Sequence, residues 1–240
     1  SFCPRNRKSA TTLTVSQVEE LLEQLPGLTT CSLFALGEPT THPDLHTLLS
    51  DPQRNMLYNH LGLSEEGALR LRPDCADLPY LLRSYFAWKM HLPFGFRQCD
   101  RGAPGRAPGC GELRDNLALV ETGLSVEAFN RFANGTVRDV VHSGNGRTAL
   151  RDSATDFYPV PLLREAIRPG TLYADPFGHL LVVTRWVPQG ADRYGVLVAA
   201  DAQPDGTIGI LMIYFRARLR SQSWKLCSNA QALLGSDSWA

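Results

Sequence analysis

Two residues whose types suit nucleophilic catalysis stand at the starts of predicted elements. Cys75 begins an apolar segment with helical spacing, and His179 begins a run rich in β-branched residues. The N–H groups and dipole at a helix N-terminus stabilise a thiolate, while a histidine held by a strand can accept and return a proton. We therefore expect a thiolate–imidazolium pair that attacks a carbonyl, with backbone N–H groups at the helix start receiving the oxyanion.

A third polar residue should orient the histidine. If Val187 pairs with Tyr194 across the turn between two strands, His179 lies opposite roughly Ala202. Its cross-strand neighbours are then Asp201 and Gln203, and either can hydrogen-bond the imidazole. Asp201 is favoured because a carboxylate also stabilises the imidazolium, and Gln203 is the substitute.

The elements that must position these residues are a helix and a sheet. Apolar residues at helical spacing predict a helix from Cys75 to His91, which Pro93 stops, with Pro79 in its first turn. The last 70 residues contain four β-rich runs separated by turn signals, which predict an antiparallel meander. These runs are Thr171–Asp175, His179–Val187, Tyr194–Ala202 and Thr207–Phe215.

We expect the rest of the chain to belong to the same single domain, residues 1–240. Residues 1–70 form an N-terminal extension, and residues 95–169 form an insertion covering the cleft. In the extension, a capping box at Ser16–Glu19 predicts a helix that ends at Pro26, and it is followed by a predicted strand at Cys31–Leu36 and a predicted loop at Gly37–Pro52. In the insertion, a helix is predicted around Ser125–Phe132. The insertion also contains the glycine-rich segment His142–Arg147.

Three short segments resemble those of one family of cysteine peptidases. The sequence Asp-Cys-Ala-Asp-Leu at 74–78 resembles the nucleophile segment of the NlpC/P60 family, in which Ala76 stands where a serine is usual. Arg-Pro-Gly-Thr-Leu-Tyr at 168–173 is similar to the Pro-Gly-Asp strand entry of that family, with Thr171 in place of the aspartate. Gly-His-Leu-Leu-Val-Val at 178–183 resembles its Gly-His-Val strand.

The resemblance covers residues 75–90 and 165–215 and implies an α+β, papain-like fold, with the nucleophile helix packed on the meander. It also implies a thiol hydrolase that cleaves an amide or peptide bond through Cys75, His179 and Asp201, with peptidoglycan stem peptides as a candidate substrate. The order Cys, His, Asp is equally that of transglutaminase-like proteins. A transglutaminase-like acyltransferase with the same triad, and a non-catalytic binding domain on the same fold, are therefore the alternatives.

Other polar residues near the nucleophile in sequence are candidate binding residues. Tyr58, Asn59 and His60 form an upstream cluster that could line the cleft or support the oxyanion, and Asp74 precedes the nucleophile. The six cysteines match no zinc pattern, and we expect neither a metal nor a cofactor.

Composition and cysteine spacing bound the partners and the compartment. Lys plus Arg and Asp plus Glu number 24 each, which argues against a nucleic-acid partner, and no apolar run is long enough for a membrane span. Cys99 and Cys110 bracket a Gly/Pro/Arg loop flexible enough to bring them together, so they are a candidate disulfide, although the sequence leaves the disulfide pairing open. If such a bridge forms, the compartment is oxidising, either periplasmic or secreted. The sequence leaves the oligomeric state open.

Overall fold

The computed structural model describes residues 30–33, 44–122, 125–161, 165–175, 177–190 and 195–215. The helix predicted after Ser16 lies outside these ranges. The α-helices are α1 (Leu45–Leu49), α2 (Leu78–Lys89), α3 (Leu117–Thr122), α4 (Val126–Phe132) and α5 (Arg138–Val140), with a π-helical turn at Ala133–Val137 and 3₁₀ turns at Glu65–Ala68 and Asn145–Arg147. The strands are β1 (Thr30–Leu33), β2 (Gly95–Cys99), β3 (Cys110–Asp115), β4 (Leu172–Ala174), β5 (Leu180–Val187), β6 (Gly195–Ala202) and β7 (Ile208–Phe215).

The predicted meander is confirmed as the main sheet of the protein. Strands β4 to β7 pair antiparallel in sequence order, and β1 from the N-terminal extension adds to β7, which gives the order β1-β7-β6-β5-β4. A separate antiparallel hairpin joins β2 to β3, and the candidate pair Cys99 and Cys110 forms a disulfide in it. The protein is thus an α+β protein with antiparallel sheets.

Helix α2 packs on one face of the main sheet. Leu180 and Val182 of β5 belong to the apolar cluster that contains Leu81 and Trp88 of the helix, whereas Leu181 and Val183 belong to a second cluster. This alternation places the two clusters on opposite faces of the sheet. Because α2 lies across the start of β5, its N-terminus is held close to the end of the strand where His179 lies.

The described part of the N-terminal extension belongs to this core rather than to a separate unit. Helix α1 lies within the segment predicted as a loop, so that prediction was wrong for Leu45–Leu49. Asp44 caps the helix by accepting a hydrogen bond from the Thr47 N–H at 2.7 Å, and the side chains of Leu45 and Leu49 are buried. Two leucines at a spacing of i and i+4 with an aspartate before them are the local signal for this turn of helix.

A buried ion-pair network lies at the C-terminal end of α2. The ammonium of Lys89 contacts the carboxylates of Glu65 and Glu66, and all three side chains are excluded from solvent. Tyr85 donates a hydrogen bond to Glu66 at 2.7 Å, and Asn55 donates one to the Tyr85 hydroxyl at 2.8 Å. The network ties the segment 55–66 to the helix.

The described ranges contain neither a helix suited to cross a membrane nor a cluster of metal ligands. None of the helices in them combines the length and apolarity that crossing a bilayer requires. Nor do these ranges bring together three histidine, cysteine or acidic side chains able to hold a metal ion.

Candidate active site

The start of α2 is fixed by two aspartates that cap each other around Cys75. Asp74 Oδ1 accepts hydrogen bonds from the N–H groups of Ala76 (2.8 Å) and Asp77 (3.2 Å), and Asp77 Oδ1 accepts one from the Asp74 N–H (2.7 Å). This is the arrangement of a capping box. Asp74, predicted as a binding residue, therefore has a capping role here, and the Cys75 thiol is free and partly exposed.

Asp77 is an unusual capping residue because it is fully buried. Its Oδ2 atom has no hydrogen-bond partner among the described residues. Burial, followed by the negative charge of Asp74, raises the pKa of Asp77 to about 7. The sequence around Asp77 carries no local sign of this burial.

A tight turn before β5 presents His179. Asp175 Oδ1 accepts hydrogen bonds from the N–H groups of Phe177 (2.8 Å) and His179 (2.9 Å), and Gly178 adopts a left-handed conformation with φ of 89°. The next residue, Leu180, donates its N–H to the carbonyl of Cys75 at 2.9 Å. The backbones of the predicted nucleophile and the predicted base are thus linked through a single hydrogen bond next to His179.

The three predicted catalytic side chains are brought together. His179 Nε2 lies 2.8 Å from Asp201 Oδ2, which leaves Nδ1 for the thiol. Burial lowers the pKa of His179, but the interactions with Asp201 and with the nearby Cys75 outweigh it and raise that pKa to about 10.

Both candidates for the third catalytic residue, Asp201 and Gln203, belong to the hydrogen-bond network around His179. Asp201 contacts the imidazole, and Gln203 Nε2 donates a hydrogen bond to the same Asp201 Oδ2 atom at 2.7 Å. Asp201 is buried, so this oxygen is held by two donors away from solvent. Gln203 therefore holds the carboxylate of Asp201, and that carboxylate contacts His179.

The strand register differs from the one assumed in the sequence argument. Val187 pairs with Val196, and Tyr194 lies outside the described residues. A bulge between Val183 and Arg185 shifts the pairing by one residue, so that Val182 lies opposite Ala200. Continuing this register places His179 opposite Gln203, one residue beyond Ala202, and Asp201 remains a diagonal neighbour of His179.

Gly209 is a residue of the site that the sequence argument missed. It pairs with Asp201 across β6 and β7, and a Cβ atom on residue 209 would lie 2.4 Å from Asp201 Oδ1. No side chain fits at that distance, so the carboxylate occupies the space that the glycine leaves open. A glycine inside an otherwise apolar strand, opposite a candidate catalytic aspartate, is the signal that could have identified it.

The glycine-rich segment 142–147 lies directly against the turn that carries His179. A Cβ on Gly178 would lie 2.0 Å from the Ser143 carbonyl oxygen, and one on Gly146 would lie 2.9 Å from the Leu180 side chain. Asn145 ties the segment to strand β2, since its Nδ2 donates to the Arg97 carbonyl at 2.8 Å. This segment of the predicted insertion therefore forms a wall beside His179.

The structure does not bring the cluster of Tyr58, Asn59 and His60 to this site. The Asn59 N–H donates to Glu66 Oε2 at 2.9 Å, and Glu66 contacts Lys89 in the last turn of α2. Cys75 precedes the first turn of the same helix, so the two regions are separated by about 20 Å along its axis. The polar side chains of this cluster belong to the loop around the buried ion pairs.

The site thus contains a free thiol and an imidazole that is hydrogen-bonded to, and oriented by, a buried carboxylate. Comparisons of the chain with protein-family models, with curated proteins and with solved structures find no match.

Proposed function

We propose that the protein is a cysteine hydrolase that cleaves an amide or peptide bond with Cys75 as the nucleophile. The observation that carries the proposal is the chain of contacts that joins these residues. His179 Nε2 lies 2.8 Å from Asp201 Oδ2, and the N–H of Leu180, the residue after His179, donates to the Cys75 carbonyl at 2.9 Å. Such a chain has a physical purpose in nucleophilic catalysis, since the base must reach the nucleophile and be oriented in turn. An inert buried cysteine needs neither partner.

The reaction follows from the positions of these groups. The Cys75 sulfur attacks the substrate carbonyl carbon, and the protonated His179 then gives its proton to the leaving amine as the acyl-enzyme forms. Water, deprotonated by His179, hydrolyses the acyl-enzyme, which releases the acid product and regenerates the Cys75 thiolate beside the protonated His179. The Asp201 carboxylate orients the imidazole and stabilises the imidazolium.

The oxyanion has one candidate donor at the helix start. Asp74 Oδ1 already accepts from the N–H groups of Ala76 and Asp77, which removes both from the site. Among the described residues, the backbone N–H of Cys75 donates to no acceptor. We therefore assign the developing oxyanion to the Cys75 N–H, next to the attacking sulfur.

The papain-like fold and the resemblance to NlpC/P60 peptidases belong to this proposal, as does a peptide or peptidoglycan-like substrate. The Cys99–Cys110 disulfide supports a periplasmic or secreted location, because such bridges persist in oxidising compartments. The same triad would also serve an acyltransferase, in which an amine replaces water as the acyl acceptor.

The test has two stages, each with Cys75→Ala as the control. In the first, iodoacetamide at pH 6 should alkylate Cys75 at least about tenfold faster than an ordinary thiol, as measured by peptide mapping. An ordinary rate would contradict the catalytic assignment and leave a binding domain. In the second, muropeptides and linear peptides are incubated with the protein, and mass spectrometry with and without an added amine separates hydrolysis from acyl transfer.

A further inference from the structure

Two arginines stand on the wall beside His179 without a carboxylate partner. Arg101 follows the disulfide hairpin strand β2, and Arg147 ends the glycine-rich segment. Among the residues that the structure describes, neither guanidinium forms an ion pair, whereas their neighbour Arg106 is paired with Asp100 at 3.0 Å. In a chain with equal numbers of acidic and basic residues, this is a local excess of positive charge.

Both guanidinium groups are held toward the same residue. Arg147 Nε donates to the Ser143 carbonyl at 3.3 Å and its Nη2 donates to the Arg101 carbonyl at 2.8 Å, while Arg101 Nη1 lies 3.4 Å from Ser143 Oγ. These contacts use neutral oxygens and leave both charges uncompensated. Burial, followed by the charge of Arg101, lowers the pKa of His142, with a smaller contribution from Arg147, while a hydrogen bond with Cys99 and the charge of Asp100 act in the opposite direction. The Asp100 carboxylate is itself bonded to Arg106.

The same contacts place the arginines beside the turn that carries His179. The Ser143 carbonyl that accepts from Arg147 is the one that lies against Gly178, the residue before His179. A substrate whose scissile carbonyl sits at Cys75 therefore has this wall on its His179 side. Guanidinium groups are suited to bind carboxylates because they offer paired, charge-assisted hydrogen bonds.

We propose that Arg101 and Arg147, together with the Ser143 hydroxyl, form a subsite that binds a carboxylate of the substrate, so that the substrate is an acidic peptide. The inference rests on the proposed function of Cys75 and deepens it by assigning the substrate class. The carboxylate is either an acidic side chain or the C-terminus of a short peptide.

Matched alkylating probes test this directly on the full chain. Iodoacetyl-glutamate α-amide and iodoacetyl-glutamine with a free α-carboxylate each carry one carboxylate, at the side chain and at the terminus respectively, and iodoacetyl-glutamine α-amide is neutral. At least one acidic probe should alkylate Cys75 about five- to tenfold faster than the neutral probe, and the faster of the two identifies the source of the carboxylate.

Substitutions then assign the preference to the wall. Arg101→Gln or Arg147→Gln should reduce the acidic-to-neutral rate ratio to below about twofold, while Arg147→Lys should retain part of it. The control is Arg114→Gln, which removes an equal charge from the exposed side of β3, where Arg114 bonds Gln98 at 2.8 Å. No preference in the unmodified protein, or an equal loss in the control, would overturn the subsite.

The two proposals fail in different ways in this experiment. Slow reaction of Cys75 with neutral iodoacetamide would overturn the hydrolase assignment. The ratio between acidic and neutral probes is still measurable at an ordinary thiol, so it tests the arginines in either case.

Discussion

At the scale of single residues, the protonation of His179 decides what the Cys75 thiol can do. An imidazole with a pKa of about 10 stays protonated at neutral pH and can stabilise a neighbouring thiolate. Relative to an unfolded chain, in which the pKa is about 6.5, this interaction stabilises the fold fully below pH 6.5. The stabilisation is lost as the pH rises through about 10.

Asp201→Asn should lower the pKa of His179 from about 10 toward 6.5, because burial then acts with less opposition from a negative charge. The measurement is an NMR titration of the imidazole, accompanied by the rate of Cys75 alkylation at pH 6. Gln203→Ala serves as the control, since it removes only a second donor to the same oxygen and should change the pKa much less. An unchanged pKa in Asp201→Asn would refute the proposed role of the carboxylate.

Gly209→Ala should disturb the same carboxylate without touching any reacting group. The added Cβ would lie 2.4 Å from Asp201 Oδ1, so the carboxylate must move away from its position beside His179. We expect a lower His179 pKa and a roughly tenfold slower alkylation of Cys75 at pH 6. Gly111→Ala in β3 is the matched control, since its Cβ would meet only the Gln98 carbonyl at an ordinary 3.6 Å. Equal alkylation rates in the two variants would show that the clearance at residue 209 is unimportant.

At the scale of the elements, the start of α2 combines a reactive position with an unfavourable buried charge. The pKa of Asp77 is raised by burial to about 7, above its ordinary 3.8, so its ionised form destabilises the fold. The loss in the free energy of unfolding begins above about pH 4, grows as the pH rises to 7 and reaches its full size above that. The reciprocal caps with Asp74 hold the carboxylate in place despite this cost.

Asp77→Asn should therefore stabilise the protein in alkaline solution by about 2–4 kcal/mol, since each unit of pKa difference corresponds to about 1.36 kcal/mol. The Asn carbonyl oxygen can still accept the hydrogen bond from the Asp74 N–H. Urea unfolding at pH 8 and at pH 4.5 measures the effect, which should be about fourfold smaller at the lower pH. A variant that is less stable than the unmodified protein at pH 8 would contradict the assignment.

The helix and strands that carry the predicted triad could be predicted from the sequence because each is marked by residues close together in the chain. The periodicity of the α2 segment and the turn residues of the meander identify the helix and strands, and Gly178 next to His179 marks a strand entry. The wall beside His179 was not accessible, because Arg101, Ser143 and Gly178 meet only after three distant segments fold together. The bulge near Arg185, which fixes the register at His179, likewise leaves no clear local pattern.

At the scale of the whole molecule, helix α2 connects two polar centres with different properties. Its N-terminal end holds the partly exposed Cys75, and its C-terminal end holds Lys89, buried with Glu65 and Glu66. The network around Lys89 is satisfied by backbone N–H groups as well, since Glu65 accepts from Leu61 and Leu63. The separation of about 20 Å predicts that stability and reactivity can be changed independently.

Lys89→Met tests that separation. Removing the ammonium leaves two carboxylates buried without their counter-charge, which should destabilise the protein by about 3–5 kcal/mol in urea unfolding. The control is Arg54→Met, which breaks the exposed pair with Asp51 (3.1 Å) and should cost less than about 1 kcal/mol. Under conditions where Lys89→Met is still fully folded, alkylation of Cys75 should proceed at the unmodified rate. A slower alkylation in the folded variant would mean that the two ends of the helix are coupled. A loss of unfolding free energy no larger than that of Arg54→Met would mean that the buried network contributes little to the stability of the fold.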